Sequence, residues 1–107
     1  MAFEIILAPQ AIEGLKAIRA DFRASVREAI ELHLRHEPTK VSRSRIKRLR
    51  GLERPQYRLR VSQVRVFYDV TEETVEVLAI ITKEQAEAWL AEEGVPTSPR
   101  SPGEDEG

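Results

Sequence analysis

Apolar positions recur at every second residue on either side of Ser62-Gln63 along Tyr57–Val70, YRLRVSQVRVFYDV. Successive side chains of a strand point to opposite faces, so this pattern predicts two strands. Ser62-Gln63 forms the two-residue turn between them, which pairs Val61 with Val64, Leu59 with Val66 and Arg60 with Arg65. One face is then apolar, made of Tyr57, Leu59, Val61, Val64, Val66 and Tyr68. The other carries Arg58, Arg60, Arg65 and Phe67. Like charges directly opposite on a sheet cost stability, so three arginines on one small patch point to an anionic ligand. A solvated outer face of a half-buried hairpin is the competing explanation.

The rest of the chain supplies partners for the apolar face. FEIIL, residues 3–7, is a short strand closed by Pro9, a residue suited to the first turn of a helix. Ile12, Leu15, Ile18 and Phe22 then recur at helical spacing. A second helical run, with Asp21 as a break or N-cap, carries Val26, Ala29, Ile30, His33 and Leu34 on one stripe. Glu37-Pro38 ends it, because a residue before proline is driven out of the helical region. Lys40–Leu52, KVSRSRIKRLRGL, is expected as a basic loop whose Ile46, Leu49 and Leu52 pin it to the core. After a turn at residues 71–74, Val75, Val77, Ala79 and Ile81 alternate with Glu76, Leu78 and Ile80, which reads as a central strand buried on both faces. Thr82 with Gln85 has capping-box spacing ahead of a short helix, Lys83–Glu93, whose apolar stripe is Ala86, Trp89 and Leu90. The order β-α-α-β-β-β-α predicts an α+β domain: a small, mostly antiparallel sheet covered on one face by an N-terminal helical hairpin. Its span is residues 1–93. Residues 94–107, rich in Pro, Gly, Ser and acid, are expected to be a disordered tail.

Charge sharpens this picture. The net charge of −1 conceals ten Lys/Arg against two acids in residues 37–68 and eleven acids against two bases in residues 69–107. A basic stripe is the electrostatic footprint of a polyanion partner, most often nucleic acid. Arg45, Lys47, Arg48 and Arg50 are accordingly candidate contacts to such a backbone. Trp89 is a candidate for stacking on a base, with packing of the last helix as its alternative. The acidic end either solubilises the chain or shields the basic patch. There is no cysteine, which excludes a disulfide framework and thiolate metal sites. His33 and His36 stand three apart on a helix, but no carboxylate-rich partner motif accompanies them, and a cation near a helix C-terminus is stabilised by the dipole. No apolar run approaches a membrane span, and MAFEIILAPQ lacks the features of a signal peptide, so a soluble, cytoplasmic protein is expected.

Nucleophile triads, paired catalytic carboxylates, zinc spacing and glycine-rich phosphate loops do not occur in the sequence. A cluster of cations on a rigid sheet suits reactions in which the protein positions an anion and stabilises developing negative charge. Cleavage of RNA by its own 2′-hydroxyl is one, and the arginine fork matches phosphate bidentately. Lys83, Tyr57 and Glu84 are the candidates for proton transfer by elimination.

The segments RLRGLERPQYRLRVSQVRVFYDV and VEVLAII, with the short strand and helical hairpin before them, resemble the bacterial RelE/ParE toxin superfamily, and within it the RelE-type toxins of type II toxin–antitoxin modules. The resemblance covers residues 3 to about 90 and implies the β-α-α-β-β-β-α fold. It further implies a cytoplasmic toxin that cleaves mRNA, usually in the ribosomal A site, without a metal or cofactor, and is neutralised by a cognate antitoxin. Assembly as a homodimer, or as a heterotetramer with antitoxin, accords with it. Arg58 and Arg60 match the family's basic pair and Arg65 its third-strand arginine. With Lys83 these are the candidate catalytic residues. Two departures stand out. ITKEQAEAWL replaces the Arg, His or Tyr common after the last strand, leaving Lys83 and Trp89 there. Ser62-Gln63 occupies a turn where glycine is usual. A ParE-like inhibitor of gyrase, or a degenerate module that binds only antitoxin or nucleic acid, are the alternatives.

Overall fold

The structure, a computed structural model, describes residues 2–97. Its elements are β1 (Glu4–Leu7), α1 (Pro9–Ala17), α2 (Ala20–Leu34), β2 (Ile46–Arg48), β3 (Leu52–Arg54), β4 (Tyr57–Val61), β5 (Val64–Val70), β6 (Thr74–Thr82), α3 (Lys83–Glu93) and β7 (Val95–Pro96). Strands β1-β6-β5-β4-β2 form one sheet, antiparallel except where β1 runs parallel to β6. The α+β architecture expected from the sequence is present, with α1 and α2 on one face. None of the helices among the described residues is long and apolar enough to cross a membrane.

Pairing in the central hairpin follows the alternation: Val61 opposes Val64, Arg60 opposes Arg65 and Leu59 opposes Val66. Its apolar face enters the core with Leu15 of α1 and Val26, Ile30 and Leu34 of α2. Tyr68 is buried there because its hydroxyl donates to the Pro38 carbonyl at 2.6 Å, and burial raises its pKa. Two close fits hold α1 in place. Gly14 lies so near the Ile80 carbonyl oxygen that a methyl group there would overlap it. Beyond the end of α1, Arg23 donates to the carbonyls of Leu15, Lys16 and Ile18 at 3.1, 3.1 and 2.8 Å, satisfying groups a helix terminus leaves open.

Five expectations need correcting. Ile46–Arg48 is an edge strand rather than loop, because Ile46 packs into the core opposite Leu59 and the Ser42 hydroxyl accepts from the amides of Arg45 and Ile46. Leu52–Arg54 is likewise a strand rather than the end of a loop, paired with Val95–Pro96 in a two-stranded ribbon. Residues 98–107 lie outside the described residues. Phe67 opposes Ala79 while Tyr68 opposes Val77, which makes Leu78 a bulge. The bulge moves Ala79 away from the helices and brings Ile80 in with Val75 and Val77. Arg19, not Asp21, is the N-cap of α2, and Asp21 sits in the first turn, where a negative charge favours the dipole. Thr82 is the N-cap of α3, but its side chain makes no capping bond.

Candidate nucleic-acid interface

The side of the sheet away from α1 and α2 carries opposite charges at its two ends. Toward the Ser62-Gln63 turn, Arg60 and Arg65 stand directly across from one another, and Arg58 lies two residues back along β4, opposite Phe67 on one side and Lys47 on the other. Toward the opposite end lie Asp69 and Glu76, also paired across strands. Those two acids are neutralised in part by Arg54, whose Nε lies 3.3 Å from Asp69 and whose Nη2 lies 3.5 Å from Glu76. Asp69 also accepts the Gln56 amide at 2.7 Å, and Gln56 accepts from the Val70 amide, so this end is tied into the backbone. Burial still holds the Asp69 carboxyl above its ordinary pKa, against the lowering effect of those partners.

At the arginine end Glu84 acts on Arg65 through its charge but forms no ion pair with it. Among the described residues Arg58, Arg60 and Arg65 form no salt bridge. Arg65 spends Nη1 on the Ser62 and Val64 carbonyls at 2.9 and 3.1 Å, which fixes its guanidinium against the turn. Arg58 is half-buried, and its Nε–H is buried without a hydrogen-bond partner. Desolvation first, then the charges of Arg65 and Arg60, lower the pKa of Arg58. Arg65 is lowered by burial and by Arg60, with Glu84 acting the other way. An anion laid across these three side chains would relieve the repulsion and supply acceptors, which is the arrangement expected of a phosphate cradle.

Helix α3 closes one flank of the patch. Its first amide, that of Lys83, donates to the Gln63 carbonyl at 2.8 Å, which brings Lys83 and Glu84 to the turn that carries Arg65. Further along, Trp89 stacks on Phe67 with ring centroids 5.1 Å apart, and its Nε1–H donates to Gln10 at 2.9 Å. No residue of α3 is fully buried, so this stack is its chief anchor.

The remaining basic candidates scatter. Lys47 shares the arginine face, opposite Arg58. Arg45 lies near His33, whose pKa falls through burial and the Arg45 charge, and both line a cleft of about 290 Å³ with Leu32 and Glu37. Arg48 sits over the Tyr57 ring, 5.3 Å from its centroid, and donates to the Leu49 and Gln56 carbonyls. Arg50 is exposed beside Gly51, whose φ of 75° makes the turn. Asp69, which the sequence places on this face by its alternation with Arg65 and Phe67, is a site residue of the acidic end rather than a partner of the three arginines. Among the described residues no three His, Cys, Asp or Glu side chains converge on a metal position.

Known proteins share this architecture. The chain superposes on the toxin–antitoxin complex RelBE2 of Mycobacterium tuberculosis with a TM-score of 0.62 and 21% identity over 77% of this chain and 99% of that one. It is also similar to the RelB–RelE antitoxin–toxin complex of Methanococcus jannaschii, at a TM-score of 0.60 and 19% identity over 78% and 96%. The archaeal RelE–RelB complex of Pyrococcus horikoshii OT3 gives 0.63 and 20% over 78% and 97%. At these identities the likeness is one of fold. No curated protein matches the sequence. The family model of the ParE toxin of the type II toxin–antitoxin system parDE, by contrast, matches residues 5–87, from the first strand into the first half of α3. This chain belongs to that family, as a type II toxin of the RelE/ParE superfamily.

Proposed function

We propose that this toxin is a metal-independent mRNA endoribonuclease acting on ribosome-bound message, with Arg58, Arg60 and Arg65 holding the scissile phosphate. The observation that supports this reading is the trio itself: three arginines crowded on one face, unpaired with any described carboxylate, one with a buried donor lacking a partner. In the reaction the 2′-hydroxyl attacks the adjacent phosphorus and the 5′-oxygen of the next nucleotide leaves. The products are a 2′,3′-cyclic phosphate and a 5′-hydroxyl. The arginines neutralise the pentacoordinate phosphorane, whose added negative charge makes each donor worth more in the transition state than in the ground state. The attacking hydroxyl loses a proton and the leaving oxygen gains one. We assign the accepting role to Glu84 and the donating role to Lys83, because both open the helix whose first amide bonds the Gln63 carbonyl and Glu84 acts on Arg65 through its charge. Lys47, opposite Arg58, extends the cationic surface for flanking nucleotides, and Trp89, stacked on Phe67, borders it. A cognate antitoxin restrains the toxin, as the similarity to RelB–RelE complexes suggests.

The family match favours a second reading, inhibition of gyrase without chemistry on RNA. Induced expression separates the two. The nuclease reading expects growth arrest with rapid cleavage of ribosomal message, abolished by Arg65→Ala. Arrest with intact mRNA and inhibited gyrase would replace it with the second.

A further inference from the structure

Among the described residues no carboxylate forms an ion pair with the arginine end of the sheet, and the sequence carries three acids a short way beyond them. Thr97, the last described residue, donates its amide to the Gly51 carbonyl at 3.1 Å as it leaves the β3–β7 ribbon. That ribbon lies on the arginine side of the sheet: Arg54, Pro55 and Val95 line a cleft with Leu78 and with Trp89, the ring stacked on Phe67. Seven residues further on stand Glu104, Asp105 and Glu106, three acids in succession. Seven residues span up to about 25 Å. Arg58 and Arg60 are the second and fourth residues of β4 counted from the Tyr57 end, where the ribbon joins, so they lie only about 3 and 10 Å along that strand. Reach is therefore ample, and the complement is three carboxylates for three guanidinium groups.

We propose that Glu104-Asp105-Glu106 docks on Arg58, Arg60 and Arg65 and acts as an intramolecular competitor for the phosphates of a polyanion. The docking rests on charge and connectivity alone. Its consequence for RNA rests on the reading of this face as the phosphate site. A tethered segment of this length presents its charges at an effective concentration in the millimolar range. Exposed ion pairs are individually weak and screened by salt, so the competition is moderate, about three- to tenfold in affinity at low ionic strength, and fades as salt rises. The device would keep the patch from binding stray nucleic acid while yielding to a ligand that brings several phosphates at once.

Because the chain has no cysteine, Gly103→Cys allows a spin label to be placed at one site without removing any acid. Paramagnetic broadening centred on the amides of Arg58, Arg60, Arg65 and Lys47, lost in 0.5 M salt, is the expected result. No broadening, or broadening centred on Lys40–Arg45, overturns the docking whatever the protein does to RNA. In parallel, anisotropy with a labelled 2′-O-methyl oligoribonucleotide, which cannot be cleaved, compares the full chain with the triple variant Glu104→Gln, Asp105→Asn, Glu106→Gln. The neutral tail should bind three- to tenfold more tightly at 50 mM salt and equally at 500 mM. Equal affinity at both, with broadening intact, overturns the competitor role. If no form binds the oligonucleotide yet the broadening persists, the docking stands and the assignment of the face to RNA fails.

Discussion

Replacing Arg58 by Met should make the protein more stable and less able to hold RNA. The guanidinium is half-buried, its Nε–H is buried without a partner among the described residues, and Arg65 and Arg60 lie close enough to depress its pKa. A buried donor without a hydrogen bond costs about 1–3 kcal/mol, and like charges on neighbouring strand positions add up to about 1 kcal/mol. Methionine keeps most of the unbranched stem that packs beside Phe67 while removing both penalties. A net gain of about 1–2 kcal/mol follows, against a total stability on the order of 5–15 kcal/mol. For a domain of this size that raises Tm by roughly 4–15 °C. Thermal and urea melts followed by far-UV circular dichroism measure it. The repulsive part should shrink between 0.05 and about 0.5 M salt as charges are screened, whereas the part due to the orphan donor should persist. In the same variant, affinity for a single-stranded oligoribonucleotide should fall. A lower Tm with RNA binding retained would refute the reasoning, since Arg58 would then be a structural residue.

Gly14→Ala should destabilise the fold by about 1–3 kcal/mol, because the methyl meets the backbone of Ile80 rather than a flexible side chain. Alanine's helix propensity alone predicts a gain of about 1 kcal/mol, so a higher urea midpoint would contradict the contact. Arg23→Met removes three bonds to the end of α1 and should cost about 1–3 kcal/mol, with faster amide hydrogen exchange in α1 than in β5. Burial and Arg45 lower the pKa of His33, so the unfolded chain takes up its proton first as pH falls. The contribution is complete above the ordinary value of about 6.5 and is lost as pH drops toward the folded value. His33→Gln should flatten the urea midpoint across that window, and an unchanged slope would exclude the effect.

The hairpin was readable from sequence because a two-residue turn and a period of two determine both register and face, and Arg60 opposite Arg65 follows from those alone. The helical hairpin was readable from its spaced apolar residues. Leu78 was not, since every residue from Val77 to Ile81 is apolar and a bulge there leaves no break in the pattern. Strands β2 and β7 escaped for a different reason. They have three and two residues, too few for a period to show, and the partner of β7 lies far back in the chain. The dispersal of Arg45 and Arg48 away from the arginine face depends on where that short edge strand begins. Clustering of charge in sequence therefore overstated its clustering in space.

Stabilisation of charge developing on an RNA phosphate is the role proposed for the arginine face. Its most direct test follows cleavage of message on programmed ribosomes by the purified protein, with the ends of the products identified. The expected products are fragments ending in 2′,3′-cyclic phosphate and beginning with 5′-hydroxyl, formed without added metal, at a rate lower by about 100- to 1,000-fold in Arg65→Ala. Uncut message, or cleavage that proceeds at the same rate when Arg58, Arg60 and Arg65 are each replaced by Ala, would contradict it.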